Sequence, residues 1–131
     1  MLCPMEMPGL GLDLVSVPRF AAALERGGTA FRERLFTPAE QAQADSRSRP
    51  AQHYAARFAA KEAVMKALGR GFGQGVAFPE IEVVSDGRTP PRLKLHGETA
   101  ALAADAGIVG WSLSLSHSDE TAGAVVLARH G

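Results

Sequence analysis

Residues 51–68 have the sequence AQHYAARFAAKEAVMKAL, which predicts one long helix. The stretch holds no Gly or Pro and contains seven alanines, and Ala is the best helix former. At about 100° per residue, its larger apolar side chains Tyr54, Phe58, Met65 and Leu68 share one face. Because alanines cover much of the remaining surface, we expect this helix to be enclosed by the rest of the chain.

Shorter elements are predicted before this helix. Small or acidic residues alternate with aliphatic ones over residues 9–15, which indicates a strand with Asp13 near its end. Residues 19–26 suit a helix that stops at the glycine pair 27–28. The sequence TPAE at residues 37–40 forms a capping box, so a second helix is expected to begin there.

Strands predominate after the long helix. Four glycines between residues 69 and 75 end the helix and predict a loop. The elements predicted beyond it are strands over 81–84 and 92–95, a helix over 98–106, and a hairpin of strands over 111–118 and 122–128. This order favours an α+β fold, with a small, mostly antiparallel sheet packed around the long Ala-rich helix.

Length and composition limit the classes of protein to consider. The 131 residues suit a single domain over 1–131, with residues 1–8 expected to form a flexible N-terminus. Fourteen basic residues balance fourteen acidic ones, so the chain lacks the charge expected of a nucleic-acid-coating protein. No apolar run is long enough to span a membrane, and the single Cys3 forms no internal disulfide. We therefore expect a cytoplasmic protein without nucleic-acid or membrane partners.

Two carboxylates are candidates for chemistry. Glu62 lies one helical turn before Lys66, and both flank the apolar face of the long helix. An exposed ion pair worth about 0.3–0.5 kcal/mol is the plainest interpretation of these two residues, and solvent exposure is the plainest for Asp13. If Asp13 and Glu62 instead converge, the pair suits Mg²⁺, which takes few protein ligands and keeps several waters. That arrangement indicates phosphate chemistry.

Other polar residues leave alternatives open. Lys61 lies inside the apolar arc, so either its stem packs while its amine reaches outward, or the helix lines a polar cavity. His117 can bond a substrate or satisfy nearby backbone groups. A hydrolase built on Ser116, His117 and Asp119 is disfavoured because adjacent strand residues point apart and no Gly-x-Ser-x-Gly elbow occurs. The glycine-rich loop matches no nucleotide-binding fingerprint, and no zinc-ligand spacing occurs.

Taken in order, several motifs resemble one family. They are Gly11-Leu12-Asp13, Arg19-Phe20, the LFTPAE sequence of residues 35–40, RFAAKEA with KALG over residues 57–69, and SLSHS over residues 114–118. Together they resemble the holo-[acyl-carrier-protein] synthases, the short, single-domain type of 4′-phosphopantetheinyl transferase. The resemblance runs from about residue 9 to residue 128. Phe58, Pro79 and one extra loop residue between 87 and 93 depart mildly from the family pattern.

The resemblance implies a reaction and a cofactor. Such enzymes transfer 4′-phosphopantetheine from coenzyme A to a serine of apo-acyl carrier protein, a step of fatty acid biosynthesis, and leave adenosine 3′,5′-bisphosphate. They require Mg²⁺, for which Mn²⁺ is a possible substitute. By resemblance, Asp13 and Glu62 hold the metal, and Asp13, Glu62 and Lys66 form the catalytic set, with Glu62 or a metal-bound water taking the serine proton.

The resemblance also implies binding residues and an assembly. The residues expected to contact coenzyme A are Arg57, Lys61, Gly69, Gly71, Ser116, His117 and Ser118. Arg19 corresponds to an arginine that pairs with acidic residues of the carrier protein. Family members of this type are homotrimers, so the Asp13 and Glu62 side and the His117 side are expected to come from neighbouring chains. The alternatives are a hot-dog acyl-CoA thioesterase, which needs no metal, and a non-catalytic carrier-protein or coenzyme A binding module.

Overall fold

The computed structural model describes residues 9–131. In chain order the elements are β1 (Leu10–Ser16), α1 (Val17–Leu35), α2 (Pro38–Asp45), α3 (Pro50–Leu68), β2 (Ile81–Val84), β3 (Arg92–Leu95), α4 (Gly97–Asp105), β4 (Ile108–His117) and β5 (Thr121–His130), with a 3₁₀ turn (Phe78–Glu80) before β2. The flexible N-terminus predicted for residues 1–8, which include Cys3, lies outside the described residues.

Two antiparallel sheets make up the β structure. The larger has the strand order β1-β5-β4, and β2 pairs with β3 in the smaller. Asp13 pairs with Ala124 on β5, and Ala124 pairs with Leu115 on β4, so these three residues share the inner face of the larger sheet. Both pairings run antiparallel, in agreement with the mostly antiparallel sheet that the order of elements predicts.

Helix α3 lies against the inner face of the larger sheet and is enclosed as predicted. Most of its alanines are fully buried, together with Tyr54 and Val64. At Gly11 the helix approaches β1 so closely that a Cβ atom there would lie 1.8 Å from the Ala63 carbonyl oxygen. Only glycine fits at this contact, and it brings β1, with Asp13, against the part of α3 that carries Glu62.

The capping box at the start of α2 forms as predicted. The Thr37 hydroxyl accepts a hydrogen bond from the Glu40 backbone N–H, and the Glu40 carboxylate accepts one from the Thr37 N–H. Glu40 also accepts a hydrogen bond from the Val83 N–H on β2 at 2.9 Å. This buried carboxylate therefore joins α2 to the smaller sheet.

Helix α1 departs from the prediction. The chain was expected to leave the helix at the 27–28 glycine pair, but α1 continues to Leu35. Gly28 has a φ of 61° and a ψ of −151°, which are not helical, so the pair produces a kink and a second helical segment follows. Apolar packing across the kink explains why the helix resumes, because Phe31 contacts Phe20 with ring centroids 6.1 Å apart.

The other expected elements are present within a few residues of their predicted bounds. Strands β4 and β5 are longer than expected, at ten residues each. Asp13 lies at the centre of β1, which corrects its placement near a strand end. Among the helices of residues 9–131, none combines the length and apolar character that a membrane crossing requires.

Candidate active site

Asp13 and Lys66 meet between β1 and α3. The Lys66 ammonium donates hydrogen bonds to Asp13 Oδ1 and to the Leu12 carbonyl oxygen, each at 2.9 Å. The Asp13 side chain is only 16% exposed, whereas that of Lys66 is 55% exposed. Asp13 is thus recruited by a charged partner, and the alternative of a solvent-facing carboxylate is excluded.

Glu62 lies one turn before Lys66, and the charge of Asp13 affects the pKa of its carboxyl group. Burial raises the pKa of the Glu62 carboxyl above its ordinary value, the charge of Asp13 raises this pKa further, and Lys66 lowers it. Like charges that share a site favour protonation of one member or binding of a cation. The two carboxylates therefore lie close enough to interact, and both line one cavity between β1 and α3.

The opposing effects on Glu62 lead to a prediction. Asp13→Asn removes a negative neighbour, so the Glu62 pKa is expected to fall, whereas Lys66→Gln removes a positive neighbour, so this pKa is expected to rise. A ¹³C NMR titration of the Glu62 carboxyl in each variant measures both directions. Glu33→Gln, an exposed change on α1, is the control that leaves the Glu62 pKa in place. A shift of the same sign in both variants would contradict the arrangement.

Two concave surfaces flank Glu62. A cavity of about 370 Å³ lies on the β1 side and is lined by Asp13, Ser16, Arg19, Phe58 and Glu62, among others. A second, of about 300 Å³, lies toward the end of α3 and is lined by Glu62, Met65, Lys66, Gly69, Arg70, Gly71 and Phe72. Glu62 thus borders both cavities. Arg19 lines the β1-side cavity, or cleft, together with the carboxylates of Asp13 and Glu62.

Arg57 and His117 lie on the other side of α3. His117 contacts His53 with ring centroids 5.2 Å apart, and Arg57 donates to the His53 carbonyl oxygen at 3.3 Å. His53 and Glu62 are nine residues apart, which places them about 180° apart around α3 and about 14 Å apart along it. Within one chain, the predicted coenzyme A residues therefore form two separate groups.

The group around His53 is electropositive. Burial lowers the pKa of His53, and the neighbouring His117, Arg57 and Arg47 lower it further. Burial also lowers the pKa of Arg57, whose Nε atom is buried with no hydrogen-bond partner in residues 9–131. Sequence reasoning missed His53 and Arg47, because neither belongs to a motif, although His53 lies one helical turn before Arg57.

The two predicted serines differ in position from His117. Ser116 pairs with Gly123 on β5 and points to the outer face of the sheet, opposite to His117. The Ser118 hydroxyl accepts hydrogen bonds from the backbone N–H groups of Glu120 and Thr121, which stabilises the β4–β5 turn. The three residues therefore do not act as one cluster within a single chain.

The prediction that Lys61 contacts phosphate needs correction. Its side chain is fully buried, and its ammonium donates to Glu40 Oε1 at 2.8 Å and to the carbonyl oxygens of Phe78 and Ile81. Burial lowers the pKa of Lys61, and Glu40 opposes this effect. All of these partners are internal, so the amine does not reach a ligand. The structure therefore shows neither predicted arrangement, since the amine does not extend outward and the helix does not line a polar cavity at this residue.

No set of three or more His, Cys, Asp or Glu side chains suited to a metal is present within residues 9–131. Asp13 and Glu62 alone would supply two carboxylate ligands. This donor set fits Mg²⁺, which commonly binds through one or two carboxylates together with waters and substrate phosphates.

Comparison with known proteins identifies the family. The model of the 4′-phosphopantetheinyl transferase superfamily matches residues 9–125. A curated holo-[acyl-carrier-protein] synthase from Solidesulfovibrio magneticus is 49% identical over 119 residues, which are 91% of this chain and 95% of that protein. The chain therefore belongs to the 4′-phosphopantetheinyl transferase superfamily, among its holo-[acyl-carrier-protein] synthases.

Solved structures agree with this assignment. The crystal structure of the synthase from Neisseria meningitidis has a TM-score of 0.84 at 33% identity and covers 94% of this chain and 99% of that chain. The Helicobacter pylori synthase, solved in complex with coenzyme A, has a TM-score of 0.80 at 30% identity, with 92% and 99% covered. The predicted α+β fold, the enzyme class and the transferase reaction are confirmed, and the thioesterase and binding-module alternatives are set aside.

Proposed function

We propose that this enzyme moves phosphopantetheine from coenzyme A to the serine of apo-acyl carrier protein in the cleft bordered by Asp13, Glu62 and Lys66. The observation that carries the proposal is the convergence of two carboxylates and one amine between β1 and α3. Two negative groups and one positive group suit a reaction in which charge moves between phosphate oxygens.

A divalent metal fits the two carboxylates. Asp13 and Glu62 would hold Mg²⁺, or Mn²⁺ in its place, because the charge of Asp13 raises the pKa of Glu62 and a cation relieves that repulsion. When bound, the ion supplies charge neutralisation at the pyrophosphate. Two carboxylates leave most coordination positions to water and to substrate oxygens.

The chain's own residues supply the proton transfer and the leaving-group contact. The serine oxygen forms a bond to the phosphorus of the phosphopantetheine, and the phosphoanhydride bond to adenosine 3′,5′-bisphosphate breaks. Glu62, whose raised pKa suits a general base, accepts the serine proton directly or through a water. Lys66 contacts the phosphate oxygens and stabilises the departing nucleotide as a point charge.

Coenzyme A is proposed to contact both groups of residues. Gly69 and Gly71 line the cavity beside Lys66, so the loop after α3 would contact the phosphates. Arg57 and Arg47 supply positive charge beside His53 and His117, and this group is suited to a phosphate of the nucleotide. Ser116 points to the outer face of the larger sheet, so it would contact coenzyme A only where a neighbouring chain packs against that face, and Ser118 at the β4–β5 turn would add a polar contact.

A homotrimer would bring the two groups together. His117 and Glu62 lie on opposite sides of α3, so a single chain does not present them to one ligand. The outer face of the larger sheet exposes aliphatic side chains, and Leu10, Leu12 and Leu14 on β1 are 60%, 58% and 69% exposed. An apolar face of this kind suits burial against another copy. The active site would then lie between neighbouring chains.

Mixing two damaged chains tests the shared site. Chains carrying Glu62→Gln and chains carrying His117→Ala are each expected to be weakly active when coenzyme A is below its KM. Re-assembled in equal amounts, they should regain about a quarter of wild-type activity, because that fraction of sites combines an intact Glu62 with an intact His117. Activity no higher than the mean of the two separate variants would contradict a shared site.

Oligomeric mass provides the second measurement. Light scattering is expected to give the mass of three chains for the wild type. Leu12→Asp places a charge on the apolar outer face and is expected to produce monomers that remain folded. Arg88→Asp, in an exposed loop, is the control that should stay trimeric. Trimers of Leu12→Asp would show that this face is not the interface.

Arg19 is proposed to dock the carrier protein. It is exposed near the start of α1 and lines the cleft with Asp13 and Glu62, where an acidic partner would approach the site. Arg19→Ala is expected to raise the KM for apo-acyl carrier protein about tenfold and to leave the Kd for coenzyme A unchanged. Arg88→Ala is the control for loss of one positive charge. An unchanged KM for the carrier protein would remove the docking role.

Intact-mass spectrometry tests the proposed reaction directly. Apo-acyl carrier protein is incubated with the enzyme and coenzyme A, with Mg²⁺ or with excess chelator. A mass gain of one phosphopantetheine only with metal is the expected result, and an equal gain with chelator would contradict the metal requirement. We place this reaction in the cytoplasm, in keeping with a chain whose single cysteine forms no internal disulfide.

A further inference from the structure

The Lys66 amine contacts the carboxylate that a metal would need. Its ammonium lies 2.9 Å from Asp13 Oδ1 and is held in addition by the Leu12 carbonyl oxygen. This contact neutralises much of the negative charge of Asp13, and a second cation brought to the same carboxylate is repelled by the amine. Lys66 therefore opposes the metal for which Asp13 and Glu62 are suited.

The amine also has another position open to it. The Lys66 side chain is 55% exposed and lines the cavity of about 300 Å³ that includes Gly69 and Gly71. This is the cavity in which we place the phosphates of the donor, so an anion there offers the amine a new partner. Moving toward that anion would release Asp13.

We propose that Lys66 and a divalent cation compete for Asp13, so that the free enzyme holds metal weakly and binds it well only when a pyrophosphate donor draws the Lys66 amine away. This inference rests on the proposed function of Asp13 and Glu62 as metal ligands. It gives Lys66 a second role, because the residue that stabilises the leaving group also makes metal loading depend on the donor.

Coupling of this kind is reciprocal. If coenzyme A strengthens metal binding by releasing Asp13, the metal strengthens coenzyme A binding by the same factor. Part of the coupling remains without the amine, because the pyrophosphate itself offers oxygen ligands to the metal. The affinity of the free enzyme for metal is therefore the quantity that isolates the effect of Lys66.

The experiment measures Mn²⁺ binding by electron paramagnetic resonance, with and without coenzyme A, and corrects for Mn²⁺ bound by coenzyme A alone. Lys66→Gln is expected to tighten Mn²⁺ binding to the free enzyme about tenfold and to reduce the strengthening by coenzyme A. Lys66→Arg keeps the charge and should retain weak binding. Lys94→Gln removes an exposed charge on β3 and controls for net charge.

The outcomes separate this inference from the function on which it rests. If Mn²⁺ binds the wild type with coenzyme A but Lys66→Gln leaves the free-enzyme affinity unchanged or weaker, the competition is overturned while the metal site stands. Equal tightening in Lys94→Gln overturns it as well, since net charge then explains the effect. If Mn²⁺ binds no variant in either condition, both the metal site and the competition fail.

Discussion

Glu62→Gln is expected to lower phosphopantetheine transfer by about a thousandfold, since loss of a general base alone costs about 10²–10⁴ in rate. The amide keeps the size of the side chain but neither accepts the serine proton nor carries the negative charge that favours a metal. The side chain is partly buried, and burial raises its pKa, so the neutral amide is not expected to destabilise α3. The loss should therefore appear in kcat with the fold intact.

The measurement is the rate of mass gain by apo-acyl carrier protein, with circular dichroism as the test of folding. Glu33→Gln makes the same chemical change at an exposed position of α1 and should retain full activity. Asp13→Asn is expected to lower the rate to a similar degree and, unlike Glu62→Gln, to leave Lys66 without its ion-pair partner. A Glu62→Gln enzyme within tenfold of wild type would exclude the proposed base.

The sequence predicted the elements of this fold better than the contacts between them. Local patterns suffice for α3, for the capping box at Thr37 and for the alternating strands, because each depends on residues close together in the chain. The glycine pair at residues 27–28 predicts a helix end, whereas the structure has a kink there. The helix resumes because Phe31 packs against Phe20. A glycine pair as a local stop signal carries no information about that contact.

Site residues divide in the same way. Glu62 and Lys66 were found from their spacing on one helix, but their meeting with Asp13 depends on the close approach of α3 to β1 at Gly11. Nothing in the local sequence indicates that approach. That Asp13 and Glu62 act together is predicted only by the family resemblance. The separation of His117 from Glu62 likewise follows from a position half a turn around α3 and appears only once β4 is placed.

Lys61 shows why a buried charge is the hardest residue to assign. The KEA sequence places it beside Glu62, yet its partners come from two distant parts of the chain: Glu40 on α2, and the carbonyl groups of Phe78 and Ile81 where β2 begins. Lys61 and Glu40 are both fully buried. The pair ties α3 to α2 and to the smaller sheet, so its role is structural.

Lys61→Met is accordingly expected to destabilise the protein by about 3–5 kcal/mol, because it leaves the buried Glu40 carboxylate without its counter-charge. Urea unfolding measures the loss, and Lys94→Met, at an exposed position of β3, should change stability by less than about 0.5 kcal/mol. Adding Glu40→Gln to Lys61→Met removes the stranded charge and should recover part of the loss, which also keeps the test decisive if the single variant does not fold.

A phosphate contact would behave in the opposite way: Lys61→Met would then keep wild-type stability and bind coenzyme A weakly. Stability and coenzyme A affinity, measured on the same variant, therefore decide between a lysine that holds the helix in place and a lysine that holds the substrate.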